Sequence, residues 1–330
     1  MTTQTLNLSF RPRSFDEMIG QKHMIDLIRK QIKSGRVPAA WMFVGESGSG
    51  KTTTARILAL SLQCTHQTEF GNPCDACQKG RSKFDILEIN ASENSGVSEV
   101  ESTIVGAFYT PKPPSKYRVY IFDEAQMLSS QAQNALLKYF EDSPKSTVWI
   151  ICTTEPQKIK RTLRRRCLNY TIPSLGIKGV GALVKSALTH TKSDLPDEPL
   201  IEALLEAGIS SPGFVVMAVE KYLAGETAEK SAQVGFDSAI DTLRVCRAVV
   251  KGDWDTVRAI MASANPEDAR AIRQSLGGYL KAILLDSEPG KQASKVEQAI
   301  GELMKLTMVE DGLQLSATTA VVYRVCRMFS

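Results

Sequence analysis

Nowhere in its 330 residues does the chain carry an apolar run approaching the roughly 20 residues that a membrane helix needs. Its opening stretch, MTTQTLNLSFRPRSF, lacks the apolar centre of a secretory signal. Together these absences predict a protein that works in the cytoplasm (or a host's cytoplasm) and has no membrane partner. Charge imbalance is slight: 40 Lys and Arg against 36 Asp and Glu leave a formal +4, which permits a nucleic-acid partner without arguing for one. Neither an internal repeat nor a low-complexity tract is present, so repeat architectures and linker-dominated chains are excluded. The seven cysteines, in a chain with no sign of secretion, are expected as buried thiols or metal ligands and not as disulfides.

What is present is an alternation. AWMFV (Ala40–Val44), DILEI (Asp85–Ile89), RVYIFDE (Arg118–Glu124), TVWIICTT (Thr147–Thr154) and NYTI (Asn169–Ile172) are short, β-branched and aromatic, and read as strands. Helical patterns separate them: KTTTARILALSLQ, VSEVESTIVGAF and SQAQNALLKYFED. Strand–helix alternation implies a parallel sheet covered on both faces. After IPSLG (Ile172–Gly176) the strands stop, and two all-helical units follow, the first ending near Gly225 and the second starting near Phe236. Asp and Ser stand as N-caps before several of these helices, and Gly closes several.

GESGSGKT (Gly45–Thr52) fits the phosphate-loop pattern G-x-x-x-x-G-K-[ST] and sits between an expected strand and an expected helix, where the pattern has meaning. Gly45, Glu46, Ser47, Gly48, Ser49 and Gly50 can wrap phosphates with backbone N–H groups at a helix N-terminus, and Thr53 continues that first turn. Lys51 would reach the β- and γ-phosphates and the Thr52 hydroxyl would join a Mg²⁺ shell, so ATP with Mg²⁺ is the expected ligand. VYIFDE ends an apolar strand in Asp123, placed for Mg²⁺, and Glu124, placed to polarise an attacking water. At the end of the next strand, Thr154 or its neighbour Thr153 is a candidate to orient that water, the alternative being a local hydrogen bond. KIKRTLRRRC (Lys158–Cys167) is the densest basic run: a solvated face, or the source of an arginine finger for a neighbouring subunit.

Six ordered stretches together resemble the AAA+ ATPase subunits of DNA polymerase sliding-clamp loaders, of the bacterial gamma/tau type, with a likeness also to replication factor C small subunits. They are LSFRPRSFDEMIGQKHMI, GSGKTTTARILALSLQC, NPCDACQKG, DILEINASENSGVSEV, FDEAQMLSSQAQNALLKYFED and TTEPQKIKRTLRRRC. The resemblance is dense from Leu6 to Tyr170 and architectural beyond it. It implies an α/β AAA+ P-loop domain over 1–173, a small helical lid over 174–230 and an all-helical collar over 231–330. It places Arg11, Pro12, Ile19 and Gly20 beside the base and ribose, Thr154 at the sensor-1 position and the arginine finger on Arg166, acting in trans. It also implies the partners: other loader subunits in a ring of five, a sliding clamp and primer–template DNA. Two departures stand out. Arg165 occupies the place of a serine before the finger, and the lid has SSPGFVVMAV (Ser210–Val219) where the family carries a sensor-2 arginine.

By the same resemblance, an insert at about 64–80 corresponds to a four-cysteine zinc knuckle. Cys64, Cys74 and Cys77 match its first three ligands, while Gly80 stands at the fourth. Structural zinc takes four ligands. Either His66 completes a Cys₃His site or the loop is a metal-free relic. A non-hydrolysing scaffold subunit of the same kind of ring, or another replication or repair AAA+ motor, are the rival readings of the whole chain. The missing lid arginine favours the scaffold, and the intact GSGKTT, Asp123, Glu124 and Arg166 oppose it.

Overall fold

The computed structural model describes residues 5–79, 85–93, 96–111, 115–232, 234, 242–262, 264, 268–286, 290–304 and 314–330. Five strands, β1 (Ala40–Val44), β2 (Ile86–Asn90), β3 (Arg118–Asp123), β4 (Thr147–Thr153) and β5 (Leu168–Thr171), form one sheet in the order β2-β3-β4-β1-β5. Every neighbouring pair is parallel. Alternation along the strands divides the core in two. Trp41, Phe43, Ile121, Ile150 and Cys152 face one side, while Met42, Tyr120, Phe122, Trp149 and Ile151 face the other. Both sides are covered, which is why these strands read as unbroken apolar runs.

Before β1 lie α1 (Leu6–Ser9) and α2 (Lys22–Lys33), and α3 (Lys51–Gln63) follows it directly. Met24, Ile25 and Ile28 of α2, with Ala55, Leu58 and Leu62 of α3, cover the first face. A short α4 (Asp75–Lys79) precedes β2, and α5 (Val97–Ile104) and α6 (Ser130–Asp142) place Val100, Ile104, Ala132 and Leu136 on the second face. Ser129 caps α6, its hydroxyl accepting the Ala132 N–H at 3.1 Å. The expected helix over VSEVESTIVGAF is α-helical only to Ile104 and finishes as a 3₁₀ turn, Val105–Phe108. The guanidinium of Arg118 takes the Gly106 carbonyl there, drawing that turn out of the regular ladder. One-turn α7 (Arg161–Arg164) lies within the basic run before β5.

The strands give way to α8 (Ile177–His190), α9 (Glu198–Glu206), α10 (Pro212–Leu223) and α11 (Ala228–Ser231). Then come α12 (Thr242–Lys251), α13 (Trp254–Ala262), α14 (Asp268–Asp286), α15 (Lys291–Met304) and α16 (Gln314–Phe329). Residues 237–241 of the helix expected to start at Asp237, and position 80 of the insert, lie outside the described residues. The chain divides into two compact units, Met1–Ile201 with Ser210–Thr227, and Glu202–Ile209 with Ala228–Ser330. The second has its own core, in which Val245, Val249, Leu276, Leu280, Val322 and Val325 are buried. Cys246 and Cys326 are buried in it, as Cys152 and Cys167 are in the sheet unit, and all seven cysteines are free thiols. Among the described residues no helix is long and apolar enough to cross a membrane.

Candidate nucleotide-binding site

The phosphate loop runs from the end of β1 into α3. Gly50, the residue before the helix, has φ +100°, a left-handed conformation that a side chain would strain. Lys51 is only 4% exposed, and its ammonium donates to the carbonyls of Gly45 (3.1 Å) and Glu46 (2.8 Å). A buried ammonium needs such acceptors. Two carbonyls are weak counter-charges, so the group is poised to exchange them for an anion. The Thr52 hydroxyl donates to Asp123 Oδ2 at 2.8 Å, uniting the loop with the end of β3. Burial pushes the Asp123 carboxyl above its ordinary value, against the Thr52 hydrogen bond, which lowers it. A divalent cation would relieve that penalty.

Glu124 follows at φ 50°, a left-handed angle uncommon for a residue with a side chain. The sharp turn ends β3 and brings Glu124 to the wall of a cleft of about 840 Å³. Gly48, Ser49, Gly50, Lys51, Thr52 and Thr53 line the same cleft, and so do Arg11, Pro12 and Ile19. Gly20 stands outside the lining, in a left-handed turn (φ +83°) where an added Cβ would lie 2.5 Å from Leu175 Cδ2. Gly45, Glu46 and Ser47 are not part of the lining; the carbonyls of the first two accept from Lys51. At the end of β4, Thr154 contributes its backbone N–H to the Gln126 side-chain carbonyl at 3.3 Å. The hydroxyl that reaches the same oxygen, at 2.9 Å, is that of Thr153. Arg166 is away from the cleft, exposed, in an ion pair with Glu141 and donating to the Thr162 carbonyl at 3.0 Å.

Sequence reasoning missed the opposite wall. Leu183, Ser186 and His190 of α8 and Pro212, Gly213 and Val216 of α10 complete the cleft. The Ser211 hydroxyl donates to the Ser47 carbonyl at 2.7 Å, and the Gly213 N–H donates to the Gly48 carbonyl at 2.9 Å. A Cβ at Gly213 would lie 3.0 Å from Gly48 Cα, so backbone meets backbone where the family resemblance expects an arginine. The Ser-Pro-Gly triplet was the available signal, but a contact across more than 160 positions has no local signature.

At the other end of α3, Cys64, His66, Cys74 and Cys77 place their four ligand atoms within 4.8 Å of one another. A tetrahedral zinc with Zn–S near 2.3 Å needs ligand separations of about 3.7 Å, a small contraction from this arrangement. Burial pushes the Cys64 thiol up, but the backbone N–H groups of Cys74 and His66 and hydrogen bonds from Cys77 and Cys74 outweigh it, and its net direction is down. Burial, with the hydrogen bonds of Cys74 and Cys64, pushes the neighbouring Cys77 thiol the other way, up to about 12, so the case for a metal here rests on the spacing of the four ligand atoms and not on thiol acidity.

A five-stranded parallel sheet with a phosphate loop after β1, acidic residues closing β3 and helices following the sheet defines the AAA+ class of P-loop proteins. Two solved structures share the fold. The Thermotoga maritima RuvB Holliday junction branch migration motor aligns with TM-score 0.51 at 17% identity, covering 81% of this chain and 85% of its own. A mutant of the same organism's RuvB gives 0.54 at 16%, covering 82% and 86%. Within the class, the chain is similar to gamma and tau subunits of DNA polymerase III. The family model described as "DNA polymerase III, delta subunit" matches residues 20–176. DNA polymerase III subunit gamma/tau of Mycobacterium tuberculosis H37Rv is 33% identical over 309 residues, 92% of this chain and 51% of that protein. The tau subunit of Escherichia coli K12 is 27% identical over 344 residues, 98% of this chain and 52% of the relative. The chain thus spans about half the length of the curated relatives it matches.

Proposed function

We propose that the chain is the ATPase subunit of a sliding-clamp loader. It would use ATP binding to open a clamp and place it on primer–template DNA, and hydrolysis to release both. The observation that carries this reading is one cleft lined by Lys51, Thr52 and Glu124, with the Thr52 hydroxyl bound to Asp123. The donor set fits Mg-ATP: a buried ammonium held by two carbonyls, and a half-buried carboxylate whose charged form burial disfavours. When bound, the ligand supplies an electrophilic phosphorus and a divalent Lewis acid. Lys51 would trade its carbonyl partners for phosphate oxygens, while Thr52 and Asp123 would hold the cation. Glu124 would accept a proton from water, and Arg166 would serve the cleft of the next subunit. On this reading 1–173 is the ATPase domain, 174–230 the lid and 231–330 the collar of a cytoplasmic ring of five. Cys64, His66, Cys74 and Cys77 would hold a zinc that braces the insert, a point that elemental analysis of the purified chain decides.

The reading is tested by assembling the chain with its partner subunits and measuring ATP turnover with a cognate clamp and primed DNA. Turnover should rise when both are added, and the stimulation should fall steeply with salt because phosphate contacts dominate. Indifference to both would move the chain to another replication or repair motor. A non-hydrolysing scaffold is the second reading, favoured by α10, which carries no arginine and meets the phosphate loop through its backbone. Saturable ATP binding without turnover in the full assembly would establish it.

A further inference from the structure

The geometry points to Gln126 as a positioning residue for Glu124, an inference that rests on the ATPase reading above. Gln126 lies in the 3₁₀ turn Ala125–Met127 that follows β3. Its two amide functions are both committed. The –NH₂ donates to Glu124 Oε2 at 2.5 Å. The carbonyl accepts from the Thr153 hydroxyl at 2.9 Å and from the Thr154 N–H at 3.3 Å. Thr153 is fully buried at the end of β4, and its hydroxyl oxygen also accepts the Glu155 N–H at 3.1 Å, so the anchor is itself fixed.

This matters because Glu124 has little else to hold it. Its backbone is in a left-handed turn and its side chain borders an open cleft. A carboxylate in that place has several rotamers of similar energy, and only some present an oxygen to a water within the cleft. The short charge-assisted bond from Gln126 selects one oxygen as anchored and leaves the other for the proton. Gln126 therefore joins the base to the end of β4 and acts on the reaction through Glu124.

Gln126→Glu separates the two halves of this role because it is nearly isosteric. The carboxylate at 126 keeps its acceptor contacts with Thr153 and Thr154 but has no donor for Glu124, and two carboxylates then face each other. The expected result is a 10- to 100-fold loss of turnover with nucleotide affinity unchanged, the scale of a misplaced catalytic group. The nucleotide-free chain should lose roughly 2–4 °C of Tm. In the exchanged pair Glu124→Gln/Gln126→Glu the donor and acceptor swap places, so Tm should return while turnover does not. Wild-type turnover in Gln126→Glu, or an exchanged pair no more stable than Gln126→Glu alone, overturns the proposal. Lys51→Ala and Glu124→Gln are run alongside. Undiminished turnover in those two would sink the ATPase reading itself, whereas their failure with an active Gln126→Glu sinks only the role of Gln126.

Discussion

The two ends of α3 make an instructive pair. At its N-terminus, a loop with two left-handed glycines presents backbone N–H groups, a buried ammonium and a hydroxyl to a cleft. Cys64 caps its C-terminus, and the chain beyond curls back so that Cys74 N–H meets the Cys64 sulfur at 3.4 Å. The first end has a helix dipole and donors without strong counter-charges, which invites a polyanion. The second end gathers sulfur and nitrogen around a small space and closes on itself, with Arg29 of α2 donating to the Phe70 carbonyl at 2.8 Å to pin it down. On the proposed reading, one helix serves chemistry at one end and bracing at the other. The difference lies in access: Lys51 and Thr52 also line an open cleft, whereas the sulfur and nitrogen ligand atoms gather around one small space.

That contrast can be broken or sharpened experimentally. The largest effect is expected from the group proposed to complete the phosphate-loop end of a neighbouring subunit: Arg166→Ala in the assembled ring should cut turnover about 10³-fold with ATP affinity kept. Equal turnover in wild type and variant would return Arg166 to its ion pair with Glu141. Next, Lys51→Ala should weaken ATP binding at least ~100-fold, since a desolvated charge-assisted contact to phosphate is lost, as calorimetry would show. The other end of the helix should behave differently. Cys77→Ser should remove zinc from the purified chain and cost about 2–3 kcal/mol of stability, yet change ATP affinity less than about twofold. A large loss of affinity there would show that the two ends are coupled.

Gly213→Ala tests the wall facing the loop. Its methyl would press on the Gly48 backbone, so stability should fall by about 1–2 kcal/mol and the affinity for ATP with it. The smallest effect on stability carries the opposite sign. The Asp123 carboxyl is raised by burial, so its charged form destabilises the nucleotide-free fold. That penalty is full above the raised value and fades as pH falls through it. Asp123→Asn should therefore raise Tm near neutral pH while abolishing Mg-dependent ATP binding. A lower Tm would mean that the Thr52 hydrogen bond outweighs the buried charge.

Much of this was legible from residue types. Ala40–Val44, Lys51–Gln63 and Ser130–Asp142 have in the structure the limits that periodicity predicts. Gly50 stands before α3, Lys51 opens that helix and Asp123 ends β3, the positions that the motif spacing implies. Helix α2 escaped because its apolar stripe, Met24, Ile25 and Ile28, is short and carried on a polar sequence. Gln126 escaped for a stronger reason. It lies 27 positions from Thr153, and only the parallel register of β3 on β4, with Phe122 opposite Ile151, brings the two turns together. Ser211 and Gly213 are the same case at longer range.

Amino-acid order was sufficient for whatever depends on neighbours along the chain: strand and helix periods, the turn chemistry of a phosphate loop, the pairing of an acid with the end of an apolar strand. Folding had to supply the partners of Gln126, the backbone contact of Gly213 and the convergence of His66 on three thiols. Those contacts join groups from separate elements, and their distances are set by how the elements pack, a property that no local spacing encodes.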